Sequence, residues 1–160
     1  MRIWYYKYVP FLPQAQLLGQ WRECIAIAHD WANGTLKHAI VNRVMDYDPL
    51  ELLYFSKIVR DEMLRRGVHV QEYTVAKLHD YIFQIHARDP NCYNYPDELY
   101  RDWEERIWNG SYIPETDIFE HWHNEEYARE CYYNLEEKYY CGAIPQKEWE
   151  RFEEGGREIV

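Results

Sequence analysis

Runs of helical periodicity in this chain close on glycines at Gly34, Gly67, Gly110 and Gly142. A glycine just past a helix enters the left-handed conformation at little steric cost, so each one marks a helix C-terminus. Start signals precede them. Pro13 fits a first helical position, Asp48-Pro49-Leu50-Glu51 reads as N-cap, N1 proline and capping-box glutamate, Pro96 opens a charged aromatic run, and Asn124 caps another. Between them, Leu17, Leu18, Trp21, Cys24, Ile25 and Ala28 recur at helical spacing, as do Ala128, Cys131, Leu135 and Tyr139. Leu50, Leu52, Leu53, Tyr54, Phe55, Ile58 and Val59 are apolar on several sides, which predicts the most buried helix there. Further helices are predicted over 74–86 and 145–152, with loops at 89–94 and around Pro114, a brief helix and loop over 35–47, and a frayed end from Gly155 onward. The pattern predicts an all-α fold, one compact helical domain over residues 1–160.

Composition narrows the function less than the fold. Sixteen Tyr and seven Trp supply apolar area with a polar handle, suited to cores and to stacking on bases. The net charge of −10 opposes a protein that grips phosphates. The charge is unevenly spread, however. Residues 1–75 carry nine Lys/Arg against eight Asp/Glu (9 − 8 = +1), and residues 76–160 carry nine against twenty (9 − 20 = −11). Cys24, Cys92, Cys131 and Cys141 show no CxxC spacing and are expected to be reduced. A zinc site from His121, His123 and Cys131 is conceivable, but His-x-His at a helix start is more often incidental, and no metal or cofactor is expected. The opening residues lack the pattern of a signal peptide, and no run approaches a membrane span, so a cytoplasmic monomer without membrane contact is expected.

On a helical wheel Glu23 lies far from the apolar stripe, beside Gly19, Ala26 and Asp30, while Gln20 and Arg22 sit at its two edges. Gly19, one turn before Glu23, either leaves the carboxylate uncrowded or allows another helix to approach closely. A lone glutamate on such a face is usually only solvated. Its weight here comes from the start of the chain.

Met1-Arg2-Ile3 together with Leu17-Leu18-Gly19-Gln20-Trp21-Arg22-Glu23, then Ala32-Asn33-Gly34, Leu64-Arg65-Arg66-Gly67-Val68 and Asn134-Leu135-Glu136-Glu137-Lys138, resembles the pyrimidine-dimer DNA glycosylase/AP lyase family. The resemblance covers residues 1–75 well and 124–142 loosely, and it makes 75–120 an inserted helical region. It implies a DNA repair enzyme acting on damaged double-stranded DNA, with Met1 and Glu23 as catalytic residues and Arg2 and Arg22 as phosphate contacts. The family's second phosphate-binding arginine, one turn after the Arg-Glu pair, is Ala26 here. Lys37, His38, Arg43 and Lys57 are candidate replacements.

The implied chemistry is coherent. An α-amine has a reference pKa of about 7.7–8.0 against about 10.4 for lysine, so more of it is nucleophilic at neutral pH. Attack on C1′ of a damaged nucleotide expels the base, and the resulting imine permits β-elimination of the 3′ phosphate. Two alternatives stay open: a relative acting on RNA or nucleotide N-glycosidic bonds, and a non-enzymatic module whose acidic second half binds a basic protein partner.

Overall fold

The structure, a computed structural model, describes residues 1–88, 96–112 and 117–159, and within them every predicted helix forms. The loops expected at 89–94 and around Pro114, and Cys92, lie outside the described residues. In chain order the helices are α1 (Gln14–Ala32), α2 (Pro49–Arg65), α3 (Glu72–Arg88), α4 (Asp97–Trp108), α5 (Glu125–Tyr140) and α6 (Gln146–Arg157), with 3-10 turns at Tyr6–Phe11 and Asn42–Asp46. The fold is all-α, and no strand occurs among the described residues. No helix among them is long and apolar enough to cross a membrane.

Local chemistry accounts for the ends. The Asp48 carboxylate accepts the Leu50 amide at 2.8 Å and Pro49 occupies the first helical position of α2. The Asn124 side chain accepts the Tyr127 amide at 2.9 Å to start α5. All four stop glycines sit at φ between 70° and 83°. One local expectation fails. Glu51 does not close a capping box; its carboxylate accepts the Phe119 amide at 2.9 Å, a bond across 68 residues. That bond, with the Tyr47 hydroxyl donating to the Glu120 carbonyl, ties down a connection in which Phe119 and His121 hold the left-handed values φ 52° and 71°.

Helix α2 is the hub. It buries Leu50, Leu52, Leu53, Phe55, Ser56, Val59, Glu62 and Met63, and α1, α3, α4 and the first 3-10 turn all pack on it. Arg65 and Arg66 at the end of α2 hold a buried carboxylate: both bond Glu62, and Arg66 also reaches the Pro10 carbonyl and Gln14 Oε1, each at 3.2 Å. Arg151 from α6 donates to the same Pro10 carbonyl at 3.0 Å. Burial disfavours the charged form of Glu62, but its bonds to Arg65 and Arg66 outweigh that and hold its pKa below the usual carboxylate value. This buried junction fixes the first eleven residues to both α2 and α6.

The frayed C-terminus is corrected by the structure. Helix α6 continues to Arg157, and Gly155 and Gly156 lie inside it against the first 3-10 turn. A Cβ at Gly155 would fall 2.2 Å from the Phe11 ring, so the glycine permits close approach rather than release of the helix. Gly155→Ala should therefore destabilise by about 1–3 kcal/mol through overpacking, although alanine is the better helix former. A urea titration that found the variant equal to or more stable than wild type would refute this.

His123 is buried among Tyr5, Tyr6, Phe55, Phe119, Trp122 and Tyr127, and its Nδ1 accepts the Tyr6 amide at 3.2 Å. Burial, then the nearby Arg43, push its pKa down to about 3. The folded protein thus keeps His123 neutral while the unfolded chain protonates near the reference value of about 6.5. Stability from this residue is complete above about pH 6.5 and falls as pH drops toward about 3. His123→Gln, which can still accept the Tyr6 amide, should flatten the decline in urea midpoint between pH 6.5 and 5; an unchanged slope would contradict the assignment.

Candidate active site at the amino terminus

Residues 2–4 enter the molecule as extended chain and would bury unpaired backbone groups unless something met them. Gln20 of α1 does. It is completely buried; its Oε1 accepts the Trp4 amide at 2.7 Å and its Nε2 donates to the Arg2 carbonyl at 2.8 Å. From the other side the Tyr127 hydroxyl of α5 donates to the Ile3 carbonyl. Ile3, Trp4 and Tyr5 are buried between these contacts. One turn along α1 from Gln20, Glu23 Oε2 accepts the Arg2 amide at 3.3 Å. The carboxylate is therefore held against the peptide nitrogen next to the Met1 amine, and it does not ion-pair with the amine itself. Met1 is 41% exposed and Glu23 partly exposed, so both face open space.

Gly19 resolves in favour of clearance. A Cβ built there meets nothing within 4 Å, so no second helix uses the glycine as a packing surface. The surface beside Glu23 is bare on the side one turn toward the start of α1.

The sequence-predicted residues separate. Met1, Arg2 and Glu23 come together, with exposed Arg22 next to Glu23 on α1. The Arg2 side chain is 12% exposed, lies 5.5 Å over the Trp4 ring and pairs with Glu130 at 3.3 Å. Its guanidinium points into the packing against α5, so it anchors the segment. Lys57 is likewise engaged, bonded to Asp61 one turn along α2. Lys37 and His38 lie on the loop after α1 and Arg43 in the 3-10 turn that follows it, and none of the three bonds Met1 or Glu23. Lys37 is exposed; His38 is half-buried with Nδ1 unpartnered; Arg43 is exposed with its guanidinium 5.6 Å over Trp122.

The zinc triad does not assemble. His121 is exposed, His123 is bonded to Tyr6 in the core, and no group of three or more His, Cys, Asp or Glu able to hold a metal occurs among the described residues. Cys24, Cys131 and Cys141 are free thiols, and burial pushes Cys24 up to about 12. Sequence reasoning missed Gln20, Tyr127 and Glu130 as the fixtures of the site. Gln20 carried a faint signal, an amide at the edge of an apolar stripe. Tyr127 and Glu130 carried none, being more than 120 residues from the segment they hold.

Residues 1–76 match the pyrimidine dimer DNA glycosylase family. The match contains Met1, Arg2, Gln20, Arg22 and Glu23 and stops inside α3. It points to a DNA repair glycosylase. No curated protein and no solved structure matches the chain.

The clearance at Gly19 is testable apart from the chemistry. Gly19→Ala should raise stability by about 0.5–1 kcal/mol, since the added methyl meets no neighbour and relieves a helical glycine. Gly19→Leu should fold equally well yet weaken binding to duplex DNA. Loss of stability in Gly19→Ala, measured by thermal melting, would contradict the open surface.

Proposed function

We propose that this protein is a DNA glycosylase with AP lyase activity, working through an imine between the Met1 amine and C1′ of a damaged nucleotide. The observation that carries the reading is the 3.3 Å bond from the Arg2 amide to Glu23, which keeps an acid–base group within one residue of that amine. The amine nitrogen attacks C1′, the bond from C1′ to the base breaks, and the base departs with the bonding pair and takes a proton. Glu23 stabilises the positive charge on the sugar and delivers a proton to the ring oxygen as the ring opens to the protonated imine. Removal of the C2′ proton then breaks the C3′–O bond and releases the 3′ phosphate. Water hydrolyses the imine and restores the amine.

The substrate follows from the family: a pyrimidine dimer or another damaged or modified base in double-stranded DNA, turned out of the stack where pairing is already weak. Arg22, exposed beside Glu23, is the proposed phosphate contact at the centre, with Lys37, His38 and Arg43 as outlying ones. Arg2 is not among them. The acidic second half carries the charge that opposes DNA, so the productive face is the one formed by residues 1–43.

Borohydride should trap a covalent adduct with abasic and ultraviolet-irradiated duplex oligonucleotides, and mass mapping should find it on Met1. Glu23→Gln should lower strand cleavage by about 10²-fold or more, the scale of a lost general acid–base group. Undiminished trapping after the N-terminal amine is acetylated, or an adduct on a lysine, would rule the mechanism out.

A further inference from the structure

A sizeable cleft lies away from Met1 and Glu23. It holds about 450 Å³ between the start of α2, the end of α4 and the connection before α5. Tyr47, Tyr54, Trp103 and Tyr112 form its aromatic walls, and Glu51 and Asp117 supply carboxylates. Among the described residues no lysine or arginine lines it.

Glu51 differs from Glu62 and Glu104, two other carboxylates reached by burial. Glu62 is matched by Arg65 and Arg66, and Glu104 by His79 at 3.2 Å and Arg101 at 3.1 Å. In both, burial is outweighed by the bonds to those partners and the pKa falls. Glu51 is pushed the other way by burial, with Asp48 and Glu120 adding to it and only the Phe119 amide offsetting. A carboxylate facing an aromatic cleft without a cation of its own is a place for a cation from outside.

We propose that this cleft binds an organic cation, a substituted ammonium or guanidinium, with its charge against Glu51 and Asp117 and its apolar part between the rings. Ring faces attract such cations most strongly when both are withdrawn from water. The cleft's size is that of small-ligand sites. Its lining disfavours nucleic acid, since a phosphate would meet Glu51 and Asp117 with no lysine or arginine among the described lining residues to offset them. The source is either a free small cation or an arginine side chain presented by a partner, and the chemistry at the walls is the same.

Two matched pairs of probes test this by titration calorimetry on the full chain: choline against 3,3-dimethylbutanol, and N-acetyl-arginine amide against N-acetyl-citrulline amide. At least one cation should bind about tenfold more tightly than its neutral isostere. Choline alone would identify a free small cation, and the arginine amide alone a basic side chain. Glu51→Gln keeps an acceptor for the Phe119 amide, and Asp117→Asn keeps one for the Tyr6 hydroxyl, now bonded at 2.6 Å, so both should fold. Each should weaken cation binding severalfold and leave abasic-site cleavage unchanged. Equal binding of the neutral isosteres, no binding of either cation, or binding indifferent to both substitutions would overturn the proposal.

Discussion

The side-chain amide of Gln20 fixes where this chain begins in space. A backbone entering a helical core carries polar groups with no helix of their own to satisfy them, and leaving one unpaired costs about 1–3 kcal/mol. Gln20 meets the Trp4 amide and the Arg2 carbonyl at once from a fully buried position. Each of its two ends has a matching partner, which a carboxylate or a hydroxyl could not provide in the same way. Because Gln20 and Glu23 are three residues apart on α1, the residue that holds the segment and the residue bonded to the Arg2 amide share one rigid element.

The rest of the architecture supports that placement from behind. Tyr127 holds Ile3 from α5, Arg2 pairs with Glu130 of the same helix, and His123 accepts the Tyr6 amide. The Glu62, Arg66 and Arg151 junction then ties the Pro10 carbonyl to α2 and α6. Helices from both ends of the chain therefore converge on its first eleven residues. Met1 is left exposed at the end of this track, an arrangement suited to the proposed nucleophile, which must be both positioned and reachable.

Charge divides the molecule in a related way. The first half is close to neutral and holds the proposed DNA-facing residues; the second half is acidic. Several of the first half's cations are not available to a ligand: Arg2, Lys57, Arg65 and Arg66 are committed to Glu130, Asp61 and Glu62. The positive surface is smaller than the composition implies, so the proposed binding to DNA rests on Arg22, Lys37 and Arg43 more than a count of basic residues would indicate.

Helix type, order and most boundaries were legible in the sequence because proline, asparagine, aspartate and glycine act on their immediate backbone, and four glycines at positive φ ended helices where expected. The closeness of Glu23 to the start of the chain was suggested by a family pattern. Other roles depended on residues distant in the chain. Glu51 looked like half of a capping box until Phe119 came beside it, Gly155 looked like a loose end until Phe11 lay 2.2 Å from where its Cβ would be, and Arg2 looked like a phosphate ligand until Glu130 and Trp4 took it. The sequence by itself determined which segments become helices and which residues could carry the chemistry, since both follow from local stereochemistry and residue type. The tertiary structure decided which polar groups stay available, because a side chain's partners are set by burial and by neighbours that only folding brings within hydrogen-bond reach.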